Sequence, residues 1–418
     1  MQNKANILFL SYNGLLEPIL PSQAVPYLTE LAKKGFSFTL LTYEKKRDLE
    51  KLGAEKLSLL KDKLAGDGIT WRYLKYHKNP PLLSTLFDLV GGAAAVFHIV
   101  REKKIDIIHV RGITPGMIVL LLSGLLRKKI LFDMRGLLAE EYVGGGLWKE
   151  GSLAFRLVKA AEKSLLKRCD AVTVLTRKHL DFNKRIDYLK KRAIPMEVVP
   201  CCVDMNRFKC ESEESLRSEL GIADKFVLMY PGKIGTFYCM KEMLEFYKTM
   251  LSTIPDAIFV ILTNDDAGSV LKTAKELGID EERIRIIRGV QFDEMPRYVG
   301  IADAGIFFIN SYKKIGSSPI KMGEFLSSGV PVIINPGVGD TEELVRENNV
   351  GVLAERFDDA AYKDAIRQLL ELKKEGDALK ARCRETARRY LSLDDAIAGY
   401  ARIYDALCVS NTEVSNNR

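Results

Sequence analysis

The residues with the clearest chemical potential lie in the stretch 316–333, GSSPIKMGEFLSSGVPVI. Ser318 suits a helix N-cap, because its hydroxyl can accept hydrogen bonds from free amides of a first turn, and Pro319 suits the first helical position. Lys321 then falls in the first turn, where a cation opposes the helix dipole. An anion held at the same helix end removes this conflict. We therefore hypothesise a phosphate site at Ser317, Ser318, Pro319 and Lys321; the alternative is a surface helix with a solvated lysine.

A second lysine points to the same chemistry. A predicted strand ends just before Gly232, Lys233 and Gly235. Glycines let backbone amides approach a phosphate, and the lysine supplies positive charge. Because ligands bind at the carboxyl ends of parallel strands, we expect Lys233 and Lys321 to converge on one site. Glu324 lies three residues after Lys321, on the same helix face, and an acidic group beside a phosphate site often binds ribose hydroxyls.

Three further candidates follow strands in the first half. Gly14 comes after the first strand and lets a ligand approach the backbone closely, although a simple turn also explains it. His109 and Arg111 alternate along DIIHVRG, so both point to the same face of a strand. The histidine can hydrogen-bond a sugar hydroxyl or move a proton, and the arginine can hold a phosphate. A hydrogen-bonded histidine at a strand end is the alternative for His109.

A glycine-rich stretch, FDMRGLLAEEYVGGGLWKEG, follows the fifth predicted strand. Arg135, Glu140 and Glu141 come directly after this strand, ahead of three glycines and Trp148. Such a segment is costly to order, and functional contacts concentrate on loops. We predict that it contacts the acceptor; an ordinary crossover loop is the alternative.

The rest of the sequence supplies the elements that position these residues. Short apolar runs alternate with helical patterns through both halves, which predicts an α/β fold with two doubly wound, Rossmann-like parallel-sheet domains. We place the first domain at 1–203 and the second at 204–390. Residues 391–418 are predicted to form a helix that packs back toward the first domain and ends in a frayed polar tail. The predicted strands are 6–12, 36–43, 69–73, 105–110, 129–134, 171–176, 196–199, 226–230, 257–262, 284–287, 304–309 and 330–334.

Composition narrows the class of protein. The 418 residues are 47% hydrophobic and 28% charged, as in a soluble globular protein. Of the net charge of +8, the segment Arg156–Arg192 alone supplies twelve Lys or Arg against four Asp or Glu. Such a charge run is usually a solvated helical face; the alternative is a segment that attracts an anionic membrane surface or an acidic acceptor. We expect no nucleic-acid partner, because zinc-finger spacing and RNP-type aromatic motifs do not occur.

Other patterns bear on localisation and cofactors. The apolar run Leu82–Val100 contains Asp88 and two glycines, which favours a buried helix over one at a membrane surface. The seven cysteines follow no metal-ligand spacing, which predicts a reducing, cytoplasmic location. Asp-x-Asp occurs nowhere, so we expect neither a metal ion nor a cofactor.

Five motifs together resemble the bacterial glycosyltransferases of family 4, over essentially the whole chain. The closest are VPCCVDMNRF at 199–208, SSPIKMGEFLSSGVPVI at 317–333 and VGDTEELVRENNVGVL at 338–353. DIIHVRG at 106–112 and FDMRGLLAEEYVGGGLW at 132–148 are similar to a subgroup that builds surface polysaccharides. The resemblance implies the GT-B fold and retaining, metal-independent transfer from a nucleotide diphosphate sugar, a UDP- or GDP-sugar, to a lipid-linked or growing saccharide.

The same resemblance implies roles for single residues. Glu324 matches a glutamate that holds the donor ribose, and Lys233 a basic residue at the donor diphosphate. Gly14 matches a loop that faces donor and acceptor, and His109 lies near the family's histidine at the transferred sugar. The predicted donor-binding residues are Gly232, Gly235, Ser317, Ser318, Pro319 and Glu324; the predicted catalytic residues are His109, Lys233 and Lys321; and the predicted acceptor-binding residues are Gly14, Arg111, Arg135, Glu140 and Glu141.

The chain also departs from the family pattern. Gly316 stands where the family has the first acid of a Glu-x7-Glu motif, and the second basic residue after Lys233 is missing near Phe237 and Tyr238. Lys321 is expected to supply that second charge. Two rival functions follow: a nucleotide-sugar 2-epimerase of the same fold, and a non-catalytic sugar-nucleotide-binding partner of another transferase. The main prediction is a cytoplasmic glycosyltransferase at the inner face of the cell membrane.

Overall fold

The computed structural model describes residues 3–17, 19–79, 81–209 and 213–415. These residues form two compact units. Unit 1 comprises Met1–Ala139, Trp148–Val199 and Leu393–Arg418, and unit 2 comprises Glu140–Leu147 and Pro200–Ser392. Residues 416–418, part of the predicted frayed tail, lie outside the described residues.

The described residues contain strands and helices in alternation, as parallel sheets require. The strands are β1 (Ala5–Ser11), β2 (Phe36–Glu44), β3 (Ile69–Lys75), β4 (Ile107–Arg111), β5 (Lys129–Met134), β6 (Ala171–Val174), β7 (Met196–Val198), β8 (Val227–Pro231), β9 (Ile258–Leu262), β10 (Ile284–Ile287), β11 (Ala304–Phe307), β12 (Val332–Ile334) and β13 (Gly351–Leu353).

The described helices connect and flank these strands. They are α1 (Ile19–Gln23), α2 (Val25–Lys33), α3 (Lys46–Leu52), α4 (Ala54–Gly66), α5 (Pro81–Glu102), α6 (Ile113–Leu121), α7 (Leu138–Gly144), α8 (Leu153–Arg168), α9 (Arg177–Lys184), α10 (Asp187–Arg192), α11 (Glu214–Glu219), α12 (Met240–Leu251), α13 (Gly268–Glu276), α14 (Met295–Gly300), α15 (Ile320–Ser327), α16 (Thr341–Asn348), α17 (Asp359–Lys373), α18 (Asp377–Tyr390) and α19 (Leu393–Ser415).

Unit 1 is built on a seven-stranded sheet with strand order β3-β2-β1-β4-β5-β6-β7. Every neighbouring pair is parallel. The central strands are buried along their length, because helices cover both faces. Helix α19 belongs to this unit and closes its core with Tyr400 and Tyr404, which stack at a centroid distance of 6.3 Å.

Unit 2 is built on a parallel sheet of six strands in the order β10-β9-β8-β11-β12-β13. The order reverses between β8 and β11, and such a switch point opens a crevice beyond the carboxyl ends of the two strands. Gly232 follows β8, and Asn310 lies shortly after β11. Ligands in sheets of this type bind at this place.

The predicted fold class, two Rossmann-like parallel-sheet domains, is confirmed, and each predicted strand overlaps an observed one. Strand β13 was missed because only three residues of it pair, and Asn349 with φ +50° precedes it. The described side chains of helices α3 and α4 bury almost nothing beyond Leu64, so the sequence carries little amphipathic signal there.

Helix α5 differs in part from the buried helix favoured by the sequence. Among the described residues, Leu83–Glu102 is long and apolar enough to cross a membrane by length and composition, and 39% of its most apolar window is buried. Val96, Ile99 and Val100 pack into unit 1. Leu83 and Phe87 instead leave 65% of their surface exposed.

Candidate functional site

The turn after β8 lies at the switch point of unit 2. Gly232 there has φ +143°, a conformation that L side chains rarely adopt. A Cβ atom at Gly232 would lie 3.0 Å from the Nζ atom of Lys321 and 3.3 Å from the Oη atom of Tyr230. The glycine therefore lets the backbone lie directly against the Lys321 ammonium, so this lysine meets the residue that precedes Lys233.

The Lys321 ammonium is buried between two aromatic rings. Its Nζ atom lies 3.6 Å from the ring centroid of Tyr238 and 4.6 Å from that of Tyr230. It has no hydrogen-bond partner among the described residues. Burial lowers the pKa of Lys321 from 10.5 to about 7, although the nearby Glu324 carboxylate raises it. Ring faces attract a cation but accept no conventional hydrogen bond, so the donor capacity of this ammonium stays available to an anion.

Glu324 lies one turn further along α15 and is partly exposed. Burial raises the pKa of Glu324 to about 7, against the opposing effects of Lys321 and Arg207. Near neutral pH its carboxyl group can therefore donate or accept a hydrogen bond, as a ligand hydroxyl requires.

The start of α15 corrects one expectation from the sequence. The helix begins at Ile320, with Pro319 as the extended N-cap residue and no side-chain cap. Ser318 does not cap the helix; its Oγ atom accepts a hydrogen bond from the Cys201 amide at 3.2 Å. The Ser317 amide already donates to the Lys314 carbonyl at 3.1 Å. The backbone at Ser317 and Pro319 thus offers no free N–H group to an anion, since proline has none. The ammonium of Lys321 is the remaining group that could bind an anion there.

The loop that carries Lys233 is fixed by its neighbours. The Lys233 side chain is exposed, and its carbonyl accepts a hydrogen bond from the Tyr230 hydroxyl at 2.5 Å. The Ile234 amide donates to Asp265 at 2.8 Å, and Gly235 has φ +80°. Asp265 follows β9 and orients this loop, a role that the sequence did not reveal.

Part of the glycine-rich stretch, Glu140–Leu147, belongs to unit 2. The Asn310 side-chain amide donates to the Gly144 carbonyl at 3.0 Å. Gly144 lies against Tyr312, where a Cβ atom would be 3.3 Å from the ring, and Gly145 lies against Phe237, where a Cβ atom would be 2.8 Å from the ring. These glycines allow the segment Glu140–Leu147, which we call the docked segment, to approach the loops that follow β8 and β11.

The docked segment brings Glu141 to Lys314. The Glu141 Oε1 atom lies 3.6 Å from the Lys314 Nζ atom, which stands 3.9 Å from the ring centroid of Phe237. Burial lowers the pKa of Lys314 and raises the pKa of Glu141, while each partner opposes the shift of the other. Lys314 and Asn310 were not identified from the sequence; their only signal was a position just beyond a central strand.

Two arginines predicted at the acceptor converge in unit 1. Arg111 is the last residue of β4, and Arg135 directly follows β5. Both guanidinium groups donate to the same Oε1 atom of Gln23, at 3.1 Å and 3.2 Å. Within the part of the chain that the structure describes, the Nε atom of Arg111 is buried without a hydrogen-bond partner. Gln23 was missed because α1 gave no chemical signal.

His109 lies in the core of unit 1. Its side chain is fully buried, with Nδ1 2.6 Å from the Tyr404 hydroxyl and Nε2 3.5 Å from an Asp133 oxygen. Burial lowers the pKa of His109 below its usual value of 6.5, and the Asp133 carboxylate opposes this shift. The ring is therefore mainly neutral at pH 7. This environment is that of the structural alternative, a hydrogen-bonded histidine; a role at the transferred sugar stays a prediction.

The turn at Gly14 is occupied by a carboxylate. The amides of Leu15 and Leu16 donate to Glu44 at 2.6 Å and 3.2 Å. A Cβ atom at Gly14 would lie 2.5 Å from the same side chain. Gly14 therefore accommodates Glu44 at the end of β2, and its proposed contact with a ligand stays a prediction. Glu140, the remaining predicted acceptor residue, is buried at the start of the docked segment.

Comparison with known proteins follows the two units. Residues 212–390 match the family of glycosyl transferases group 1, and residues 24–201 match the glycosyl transferase 4-like domain. A D-inositol 3-phosphate glycosyltransferase from Nocardioides sp. is 26% identical over 211 residues, which cover 47% of this chain and 45% of the relative. The matched region thus spans about half the length of that relative.

Solved structures share the fold at low identity. Sucrose-phosphate synthase from Thermosynechococcus elongatus superimposes with a TM-score of 0.74 at 15% identity, covering 97% of this chain and 100% of that one. Anabaena HepE, solved with UDP and glucose, gives a TM-score of 0.68 at 14% identity and coverages of 95% and 98%. The fold and the two domain matches together support a glycosyltransferase of the GT-B type.

Proposed function

We propose that the protein transfers a hexosyl or N-acetylhexosaminyl group from a UDP- or GDP-sugar to a lipid-linked or growing saccharide. The observation that carries this proposal is the buried Lys321 ammonium, which lies at the switch point without a hydrogen-bond partner among the described residues. A diphosphate supplies the anionic oxygens that such a group lacks. The alternative of a solvated surface lysine does not fit a side chain that is 4% exposed.

The donor chemistry follows from charge. When the bond between the sugar and the diphosphate breaks, negative charge grows on the leaving oxygen, and fixed cations nearby stabilise that charge. Lys321 is held rigidly by two rings, and Lys233 extends from the neighbouring loop. We expect Glu324 to bind the ribose. We expect a retaining, front-face transfer in which the departing diphosphate assists the acceptor, without a metal ion or cofactor.

The acceptor side of the proposal rests on Arg111 and Arg135. Both guanidinium groups donate to one amide oxygen of Gln23. Among the described residues the buried Nε atom of Arg111 has no hydrogen-bond partner, so it is a donor for an anionic or hydroxyl-rich acceptor. The names of the relatives agree with this reaction class, since one is a D-inositol 3-phosphate glycosyltransferase and another was solved with UDP and glucose.

A cytoplasmic, peripheral position at the inner face of the membrane is part of the proposal. The exposed apolar side chains of α5, including Leu83 and Phe87, offer area for insertion among lipid head groups. The basic segment Arg156–Arg192 supplies attraction to anionic lipids. These two features support contact with a lipid-linked acceptor.

A thermal-shift screen with UDP, GDP, ADP and their sugars tests the function. The true nucleotide raises the melting temperature of the wild-type protein by mass action. We expect Lys321→Met to abolish that rise and to lower transfer strongly, while Lys272→Met, on an exposed face of α13, leaves both unchanged. Unchanged donor hydrolysis and transfer in Lys321→Met would contradict the assignment. Incubation with UDP-N-acetylglucosamine alone separates transfer from 2-epimerisation, because only an epimerase forms a new sugar without an acceptor.

A further inference from the structure

The pair Glu141–Lys314 is not used by the donor chemistry described above. Lys314 is buried, whereas the Glu141 side chain keeps 22% of its surface exposed. The cation lies against the Phe237 ring and beside the carboxylate, so it holds Glu141 in place rather than reaching outward itself. Glu141 is therefore the partner that a ligand can reach.

The position of this pair relative to Lys321 follows from two consecutive aromatic residues. Phe237 carries the Lys314 ammonium at 3.9 Å, and Tyr238 carries the Lys321 ammonium at 3.6 Å. Both lysines thus stand on neighbouring rings of one loop, where the family pattern has a basic residue. Lys314 and Lys321 are also only seven residues apart in the chain. The Glu141 carboxylate is thereby joined, through Lys314 and the consecutive rings of Phe237 and Tyr238, to the lysine of the proposed diphosphate site.

Charge decides what Glu141 binds there. A carboxylate repels a diphosphate, so it can only face the neutral part of the donor. Sugar hydroxyls are donors that a carboxylate accepts strongly, and a charged acceptor roughly doubles the strength of such a hydrogen bond. Gly316, between the two lysines in the chain, has no side chain to offer for this purpose.

We propose that Glu141, held by Lys314, binds hydroxyl groups of the transferred sugar and takes over the sugar contact that Gly316 cannot make. Lys314 is a positioning residue, and Glu141 determines donor specificity. The inference rests on the proposed function, since it assumes a nucleotide sugar at the switch point. It changes the role predicted for Glu141 from acceptor binding to donor binding.

Calorimetric titration of the full chain tests the inference with two probes. One probe is the nucleoside diphosphate found by the thermal-shift screen, and the other is its sugar conjugate, for example UDP and UDP-glucose. Loss of a hydrogen bond to a charged group weakens binding by about 10- to 100-fold. We expect Glu141→Gln and Glu141→Ala to weaken the sugar conjugate at least tenfold and to leave the affinity for the diphosphate within about twofold.

Two controls separate contact from structure. Glu371→Gln removes a carboxylate from an exposed Lys–Glu pair on α17 of the same unit and should change neither affinity. Lys314→Met should reproduce the effect of Glu141→Gln, and Lys314→Arg should restore the sugar contact, because a cation again holds the carboxylate.

The outcomes are distinct. Equal weakening of both probes would show that Glu141 only fixes the docked segment, and unchanged binding of both would show that it contacts no sugar; either result overturns the inference and leaves the proposed function standing. A wild-type protein that binds no nucleoside diphosphate overturns the proposed function, and the inference with it.

Discussion

Replacing Lys321 by methionine should make the protein more stable in the absence of a nucleotide. Burial lowers the pKa of this lysine from 10.5 to about 7, and each pH unit corresponds to about 1.4 kcal/mol. The charged form therefore costs about 5 kcal/mol, and at pH 7, where about half of the folded molecules carry a neutral Lys321, the cost is about 4 kcal/mol. The two ring contacts return about 1–2 kcal/mol of this cost. Methionine has a similar length and fills the same space, so a net gain of about 2–3 kcal/mol remains.

The gain depends on pH in a direction that the structure fixes. Below about pH 7 the lysine is charged in the folded and the unfolded chain, and the full cost is present. Between about pH 7 and 10.5 the unfolded chain still binds the proton that the folded protein has lost, so wild-type stability rises with pH. Above 10.5 the cost is gone. The advantage of Lys321→Met should thus be largest near pH 6 and small near pH 10.

Differential scanning calorimetry at pH 6, 7 and 10 measures this advantage. Unit 2 has about 200 residues, and for that size 1 kcal/mol shifts the melting temperature by about 2–4 °C. We expect the transition of unit 2 to rise by about 4–12 °C at pH 7. Lys272→Met serves as the control at an exposed position. A variant less stable than wild type at pH 6, or an advantage equal at pH 6 and pH 10, would refute the reasoning.

Two further predictions concern the other networks. Asn310→Ala removes the hydrogen bond to the Gly144 carbonyl. We expect the free energy of unfolding of unit 2 to fall by about 1–3 kcal/mol and trypsin to cleave faster after Lys149. Unchanged cleavage would contradict the docking of the segment Glu140–Leu147. His109→Leu leaves the buried Tyr404 hydroxyl without its partner. We expect the free energy of unfolding of unit 1 to fall by about 1–3 kcal/mol, measured by denaturant unfolding. Full stability with loss of transfer would instead favour the catalytic prediction for His109.

The parallel sheets could be predicted because their strands are buried on both faces. Runs such as Val227–Pro231 and Ile258–Leu262 are apolar throughout, and only a covered parallel sheet explains several of them in alternation with helices. Strand β13, Gly351–Leu353, was not predicted, because three residues are too few to form such a run.

The candidate site could be predicted only where one residue conflicted with its local structure. Lys321 opposes the dipole of α15, and this conflict pointed to an anion before any contact was known. The partners Asn310 and Gly144 stand 166 residues apart, and no local pattern relates them. Ser318 illustrates the opposite error, because a good capping residue is used by the Cys201 amide instead.

Helix α19 has a consequence for the order of events during synthesis. The His109 ring in β4 finds its hydroxyl partner, Tyr404, 295 residues later. The ribosome therefore completes the main part of unit 2 while the first sheet still lacks the aromatic cover that α19 provides. During that interval the nascent first sheet presents uncovered strand surface, which exposes it to misassembly and chaperone binding. Unit 1 therefore completes its core only after residues 393–415 have been synthesised, although most of its sheet is made first.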